Sequence, residues 1–151
     1  MGLRLGGLGA KLESEARPEF ERYTAVKTVL ILDADLGFLF WLGKTLGSAG
    51  YRAVPAKSVS DAKRFLEEAR LTIDLLIADP TLEGAVEFAH NLKEQQGYLQ
   101  SIAVVESESD LRGGLQGVDA TVRKFVALDS AETTRWLDTI RRIFSDNVTS
   151  H

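Results

Sequence analysis

Apolar runs alternate with stretches of helical periodicity along this chain from residue 27 onward. The runs at residues 29–32 and 75–78 are rich in branched side chains, which is typical of strands buried on both faces of a parallel sheet. Between such runs, apolar residues recur every three or four positions, which indicates helices with one buried face. The repeated strand–helix units predict an α/β fold with a doubly wound, five-stranded parallel sheet.

The bounds of the predicted elements follow from apolar spacing and from capping residues. Strands are predicted at residues 28–32, 51–54, 75–78, 102–105 and 120–122. Helices are predicted at residues 36–50, 58–70, 85–96 and 129–144, with a weak helical signal at residues 107–116. Ser58 and Asp129 are the predicted helix caps. The predicted buried helix residues are Leu39, Leu42, Leu46, Ala62, Phe65, Leu66, Ala69, Val86, Ala89, Leu92, Trp136, Leu137, Ile140 and Ile143.

Composition divides the chain into three predicted regions. Residues 1–26 form an N-terminal extension, flexible or with a short helix, because glycine dominates its start and Pro18 interrupts its charged part. Residues 27–145 form the folded domain, and residues 146–151 form a C-terminal tail. Because the sequence ends soon after the last predicted helix, we expect any output to occur through protein–protein contact.

Charge and residue usage exclude several classes of function. The net charge of −4 over 151 residues gives no electrostatic reason to expect a nucleic acid or an anionic membrane as partner. The absence of cysteine excludes disulfides and thiolate metal sites, and the two histidines argue against structural zinc. No segment approaches the roughly 18 consecutive apolar residues of a membrane span, so we predict a cytoplasmic protein.

Carboxylates follow two of the predicted strands directly. Asp33 and Asp35 come after the first strand, and Asp79 comes after the third. Because the carboxyl ends of parallel strands share one edge of the sheet, these side chains are expected to converge there. Clustered carboxylates repel one another, so a divalent cation, a proton or a phosphoryl group is expected among them.

Residues 27–144 resemble the receiver domain of two-component response regulators, of the chemotaxis-regulator type. The segments that carry this resemblance, in chain order, are Leu32-Asp33-Ala34-Asp35, Asp74-Leu75-Leu76-Ile77-Ala78-Asp79, Glu87-Phe88 with Leu92-Lys93-Glu94, and Gly117-Val118-Asp119 with Lys124. The resemblance implies a flavodoxin-like three-layer sandwich. It also implies a signalling protein of a two-component phosphorelay, not an enzyme, whose partners are a histidine kinase or a downstream signalling protein. A monomer or a weak dimer is expected.

The resemblance also implies a role for each residue at the strand ends. Asp79 takes the position of the phosphate acceptor, and Lys124 takes the position of the cation that pairs with it or with the phosphoryl oxygens. Asp33, weakly assisted by Asp79, is the expected ligand of Mg²⁺, and Asp35 is a further candidate ligand.

Two departures from the family pattern fall on this same chemistry. Ala34 stands where the family has its second metal-binding carboxylate, and Glu106 stands where it has a switch hydroxyl, with Ser107 one residue later. Glu106 would repel a phosphoryl group and is expected to pair with Lys124 instead. The resulting prediction is a stand-alone, degenerate receiver that binds Mg²⁺ weakly, takes up little or no phosphate and acts through protein–protein contacts.

Two alternatives remain open at this point. The first is a functional receiver that accepts phosphate on Asp79 and uses Asp35 for Mg²⁺. The second is a small flavodoxin-like enzyme that binds a nucleotide or another cofactor at the same edge of the sheet. The segment after the first strand argues against the second alternative. It is acidic and holds the single glycine Gly37 in place of a glycine-rich phosphate loop.

Overall fold

The computed structural model of this protein describes residues 26–107, 117–124 and 130–149. The predicted N-terminal extension up to residue 25, the weak helical region at residues 108–116 and the Asp129 cap lie outside the described residues. None of the described helices combines the length and the apolar character that crossing a lipid bilayer requires.

Five parallel strands form the central sheet of the described chain. They are β1 (Thr28–Leu32), β2 (Arg52–Ala56), β3 (Leu75–Ala78), β4 (Gln100–Val105) and β5 (Ala120–Arg123). Their spatial order is β2-β1-β3-β4-β5, and every neighbouring pair is parallel. The predicted doubly wound parallel sheet is therefore confirmed.

Four helices connect and cover the described strands. They are α1 (Leu36–Ser48), α2 (Val59–Ala69), α3 (Ala85–Gln95) and α4 (Ser130–Thr149). Helix α2 begins as predicted, because the Ser58 side chain accepts a hydrogen bond from the Asp61 N–H. Helix α4 continues through the predicted domain boundary at residue 145 instead of ending at residue 144.

The sheet separates two hydrophobic cores, because successive side chains of a strand point to opposite faces. Val29 and Ile31 of β1 pack toward α1 and α4, whereas Leu30 and Leu32 pack toward α2 and α3. Because both faces are covered, β1 and β3 are buried along their whole length and can be apolar at every position. This is the physical basis of the unbroken apolar runs.

Other sequence expectations also differ from the structure. Strand β2 extends to Ala56 instead of ending at residue 54, since it pairs with the whole of β1, and Pro55 is tolerated because β2 is an edge strand. Val86 and Ala69 are exposed instead of buried. In α3 the inward positions are Ala85, Phe88 and Leu92, so Val86 lies about 100° around the helix from Ala85.

Two aspartates stabilise the amino ends of strands, a role that the sequence did not indicate. Asp74, just before β3, accepts a 2.8 Å hydrogen bond from the Thr28 N–H, and Asp119, just before β5, accepts one of 2.8 Å from the Ser101 N–H. Each carboxylate thus satisfies a backbone donor at the start of the neighbouring strand.

Ser58→Ala tests the cap of α2. The substitution removes the side-chain acceptor of the Asp61 N–H, so the free energy of unfolding should fall by about 1 kcal/mol in urea denaturation. Ser60→Ala, at an exposed position in the first turn of the same helix, is the matched control and should change it by less than about 0.5 kcal/mol. Equal losses in the two variants would contradict the capping role.

Candidate functional site

The carboxyl ends of three strands bring the predicted site residues to one edge of the sheet. The Asp33 N–H donates to the Ala56 carbonyl at 3.1 Å, and the Asp79 N–H donates to the Leu32 carbonyl at 2.9 Å. The Lys124 N–H donates to the Val105 carbonyl at 2.7 Å. These bonds continue the hydrogen-bond pattern of the sheet past the last strand residues. They fix the backbone positions of Asp33, Asp79 and Lys124. All three residues therefore lie at the carboxyl edge of the sheet.

A buried ion pair between Lys124 and Asp33 forms the centre of the site. Lys124 is 7% exposed and Asp33 is 1% exposed. Lys124 Nζ lies 3.1 Å from both carboxylate oxygens of Asp33 and donates a hydrogen bond to Oδ1. Asp35 Oδ2 lies 3.5 Å from the same Nζ, so two carboxylates share one ammonium group.

Backbone groups hold the two carboxylates in place. The Asp35 N–H donates to Asp33 Oδ1 at 2.8 Å. Asp35 Oδ1 in turn accepts from the Phe38 N–H at 3.2 Å and caps α1. The pair Asp33-x-Asp35 is therefore both the acidic part of the site and the start of the first helix, which explains why Asp35 turns toward Lys124 while the intervening Ala34 is exposed.

Aromatic side chains pack against Lys124 and hold it in place. Lys124 Nζ lies 5.0 Å from the centroid of the buried Phe38 ring, within the range of a cation–π interaction. Phe38 packs on Trp136 with ring centroids 5.6 Å apart, and Trp136 Nε1 donates to the Lys124 carbonyl at 3.2 Å. Helix α4 thereby holds the backbone of the lysine, and α1 holds its charged end.

Burial and pairing shift the pKa values of all three groups. Burial raises the pKa of Asp33, although the Asp35 N–H and Lys124 favour its carboxylate, and the nearby charge of Asp79 adds to the rise. The hydrogen bond from the Phe38 N–H lowers the pKa of Asp35. Burial by itself would lower the pKa of Lys124, but the hydrogen bond and charge of Asp33, together with the charges of Asp35 and Glu106, raise that pKa. The lysine therefore stays protonated.

Asp79 lies at the same edge as this ion pair but has different hydrogen-bond partners. Its Oδ1 accepts from the Thr81 N–H at 2.9 Å and from the Thr81 hydroxyl at 2.7 Å. The ion-pair contacts of Lys124 are with Asp33 and Asp35, so the expected pairing of Lys124 with Asp79 is not formed among the described residues. Thr81 was not foreseen, since a threonine two residues after an aspartate is common in turns.

Glu106 lies outside direct contact with the lysine. It is exposed, and its charge contributes to the raised pKa of Lys124 only after the contributions of Asp33 and Asp35. The expected Glu106–Lys124 ion pair is therefore wrong in this structure, because Asp33 is closer and more deeply buried. Ser107 is half-buried next to it and stays a predicted switch position.

Mg²⁺ fits this arrangement poorly. Asp33 Oδ2 is buried and, in the described part of the chain, accepts no hydrogen bond, which leaves an oxygen suited to a cation. However, the ammonium of Lys124 already lies 3.1 Å from that oxygen. The described residues contain no group of three or more His, Cys, Asp or Glu side chains placed to hold a metal ion. The three aspartates therefore converge without forming a metal cage.

Of the comparisons with known proteins, the comparison with solved structures finds matches. No family model matches the sequence, and no curated protein matches it. Among solved structures, a CheY-like response regulator receiver domain from Methanospirillum hungatei JF-1 is similar with a TM-score of 0.66 and 21% identity, over 84% of this chain and 100% of that one.

Two further solved structures agree with the first. The response regulator TrrA from Thermotoga maritima, in complex with Mg²⁺ and BeF, matches with a TM-score of 0.56 and 21% identity over 72% of this chain and 96% of its own. The beryllofluoride-activated NtrC4 receiver domain dimer matches with a TM-score of 0.65 and 21% identity over 81% and 99%. At these identities the likeness establishes the fold: the chain has the flavodoxin-like fold of response regulator receiver domains.

Lys124→Met tests the ion pair through stability. The substitution leaves the Asp33 charge buried without its partner, so the free energy of unfolding at neutral pH should fall by about 3 kcal/mol in urea denaturation. Asp33→Asn combined with Lys124→Met removes both charges and should lose less. Lys44→Met, at an exposed lysine of α1, should change stability by less than about 0.5 kcal/mol. A Lys124→Met variant as stable as the parent would contradict the assignment.

The pH dependence of stability supplies an independent test. Because the folded state raises the pKa of Lys124 above its ordinary 10.5, the pair contributes its full stability at neutral pH and loses it as the pH rises through the raised value. The parent should therefore lose more stability in the alkaline range than Lys124→Met does, so their difference should shrink there. A difference that stays constant as the pH rises would contradict the ion pair.

Proposed function

We propose that this chain is a receiver-type signalling module of the two-component class in which an internal lysine occupies the acidic edge of the sheet. In this proposal Lys124 supplies the positive charge that a metal ion would otherwise supply. Asp79 retains the position of the phosphate acceptor with little or no phosphorylation. The domain then signals through contacts with a histidine kinase or a downstream protein, and not as an enzyme.

The observation that carries the proposal is the position of Lys124 Nζ between Asp33 and Asp35. Transfer of a phosphoryl group to a carboxylate needs a cation on the incoming oxygens. Here the lysine cation is 3.1 Å from Asp33 and lies on Phe38, so moving it to serve Asp79 would leave the buried Asp33 uncompensated. Ala34 supplies no second carboxylate, and Glu106 adds negative charge nearby.

A second candidate function is a phosphate-accepting receiver that uses Asp79 and Mg²⁺. One observation favours it: Asp33 Oδ2 is buried and accepts no hydrogen bond from the residues that the structure describes, and a metal ion would satisfy that oxygen if the lysine moved away. Asp79 is also near enough to influence the pKa of Asp33. The nucleotide-binding enzyme has no comparable support, because the turn after β1 is acidic.

Incubation with phosphoramidate and Mg²⁺ separates the two candidates. We expect intact-protein mass spectrometry to find little or no acyl phosphate on the parent protein, because its cation is engaged and Glu106 repels the incoming group. Ala34→Asp combined with Glu106→Thr supplies a metal-binding carboxylate and a hydroxyl, and it should increase the phosphorylated fraction.

Asp79→Asn in both backgrounds is the control for the site of modification, and it should abolish any acyl phosphate that forms. Near-complete phosphorylation of the parent, lost on Asp79→Asn, would contradict the proposal and establish the second candidate.

A further inference from the structure

An exposed apolar groove lies between helix α1 and the edge strand β2. Leu36 and Phe40, one turn apart on α1, are 65% and 74% exposed. They adjoin Leu39 and Gly43 on the helix and Pro55 on the strand, and together these residues line what we call the α1–β2 groove. Contiguous exposed apolar surface of this kind marks an interaction site.

Positive charges border the groove at both ends. Lys57 lines the end next to Leu36, and Lys44 lines the end next to Gly43; both lysines are exposed. Asp61 is also at the Lys57 end, but its carboxylate already pairs with Arg64 at 3.3 Å. In a chain of net charge −4, this groove is suited to an apolar side chain flanked by carboxylates.

We propose that residues 12–21 of this chain bind the α1–β2 groove, with Phe20 as the apolar anchor. This segment contains four glutamates and one arginine, and two of the glutamates, Glu19 and Glu21, flank Phe20 directly. The apolar anchor matches the lining of the groove, and the flanking carboxylates match Lys44 and Lys57. The inference goes beyond the proposed function and does not depend on it.

The length of the intervening chain permits this contact. Val26 precedes β1 by two residues, and Ile31 of β1 is level with Pro55 of β2. The groove at Pro55 is therefore five strand residues beyond Val26, or about 17 Å. Phe20 comes six positions before Val26, and an extended chain of six residues spans about 20 Å. Phe20 thus reaches the groove of its own domain.

Disulfide trapping in the full chain tests the proposal, and the absence of native cysteines makes the result unambiguous. Arg22→Cys combined with Gly43→Cys keeps both Phe20 and Phe40, and a side chain at Gly43 meets no other atom within 4 Å. This pair should form an intramolecular disulfide under glutathione disulfide. The control pair is Arg22→Cys with Tyr98→Cys, since Tyr98 is 91% exposed and precedes β4, two strands or about 10 Å across the sheet from β1. An unbound segment would reach Tyr98 as readily as Gly43.

We expect the Gly43 pair to close roughly tenfold faster than the Tyr98 pair, because binding of Phe20 raises the local concentration of the neighbouring cysteine at the groove. Lys44→Glu with Lys57→Glu should abolish that preference, and high salt should reduce it. Equal rates for the two pairs would overturn the proposal. Covalent dimers as the main product of the Gly43 pair would overturn it in favour of a second copy of the chain.

Discussion

The ion pair of Asp33 and Lys124 is the constraint on which the arrangement of the site depends. Both side chains are more than nine-tenths buried, and each alone would cost several kcal/mol to remove from water. The pair persists because its surroundings are fixed: Phe38 lies under the ammonium, the Asp35 N–H binds the carboxylate, and Trp136 holds the lysine carbonyl. Helices α1 and α4 therefore both hold this one ion pair in place.

This ion pair differs from the pairing of Lys124 that the resemblance to receiver domains implied. The fold brings carboxylates and a lysine to the expected edge, but the lysine pairs with Asp33 and Asp35 and makes no ion pair with Asp79. A cation that binds Asp33 has to displace this ammonium, which is itself buried. This accounts physically for a receiver fold whose described strand-end aspartates form no metal site.

Sequence patterns predicted the strands because burial on both faces requires apolar residues at every position. They predicted the carboxyl edge as the place of the site because parallel strands all end at one edge of the sheet. The strands β1 and β3 were predicted at their observed bounds, since unbroken apolar runs admit few alternatives. The partner of Lys124 was not predicted, because residues beyond a strand end have no fixed alternation. The choice of Asp33 over Asp79 and Glu106 depends on side-chain distances. The strand-capping roles of Asp74 and Asp119 were missed for the same reason.

A titration with Mg²⁺ tests the central claim most directly. Backbone amide shifts of Asp33, Asp35, Asp79 and Lys124, followed by NMR at neutral pH, would report any ion that displaces the lysine from Asp33. Because Lys124 already occupies the position beside Asp33 and Asp35, we expect only small, non-saturating shifts up to millimolar Mg²⁺. Saturable shifts at these four residues with a sub-millimolar dissociation constant would contradict the account.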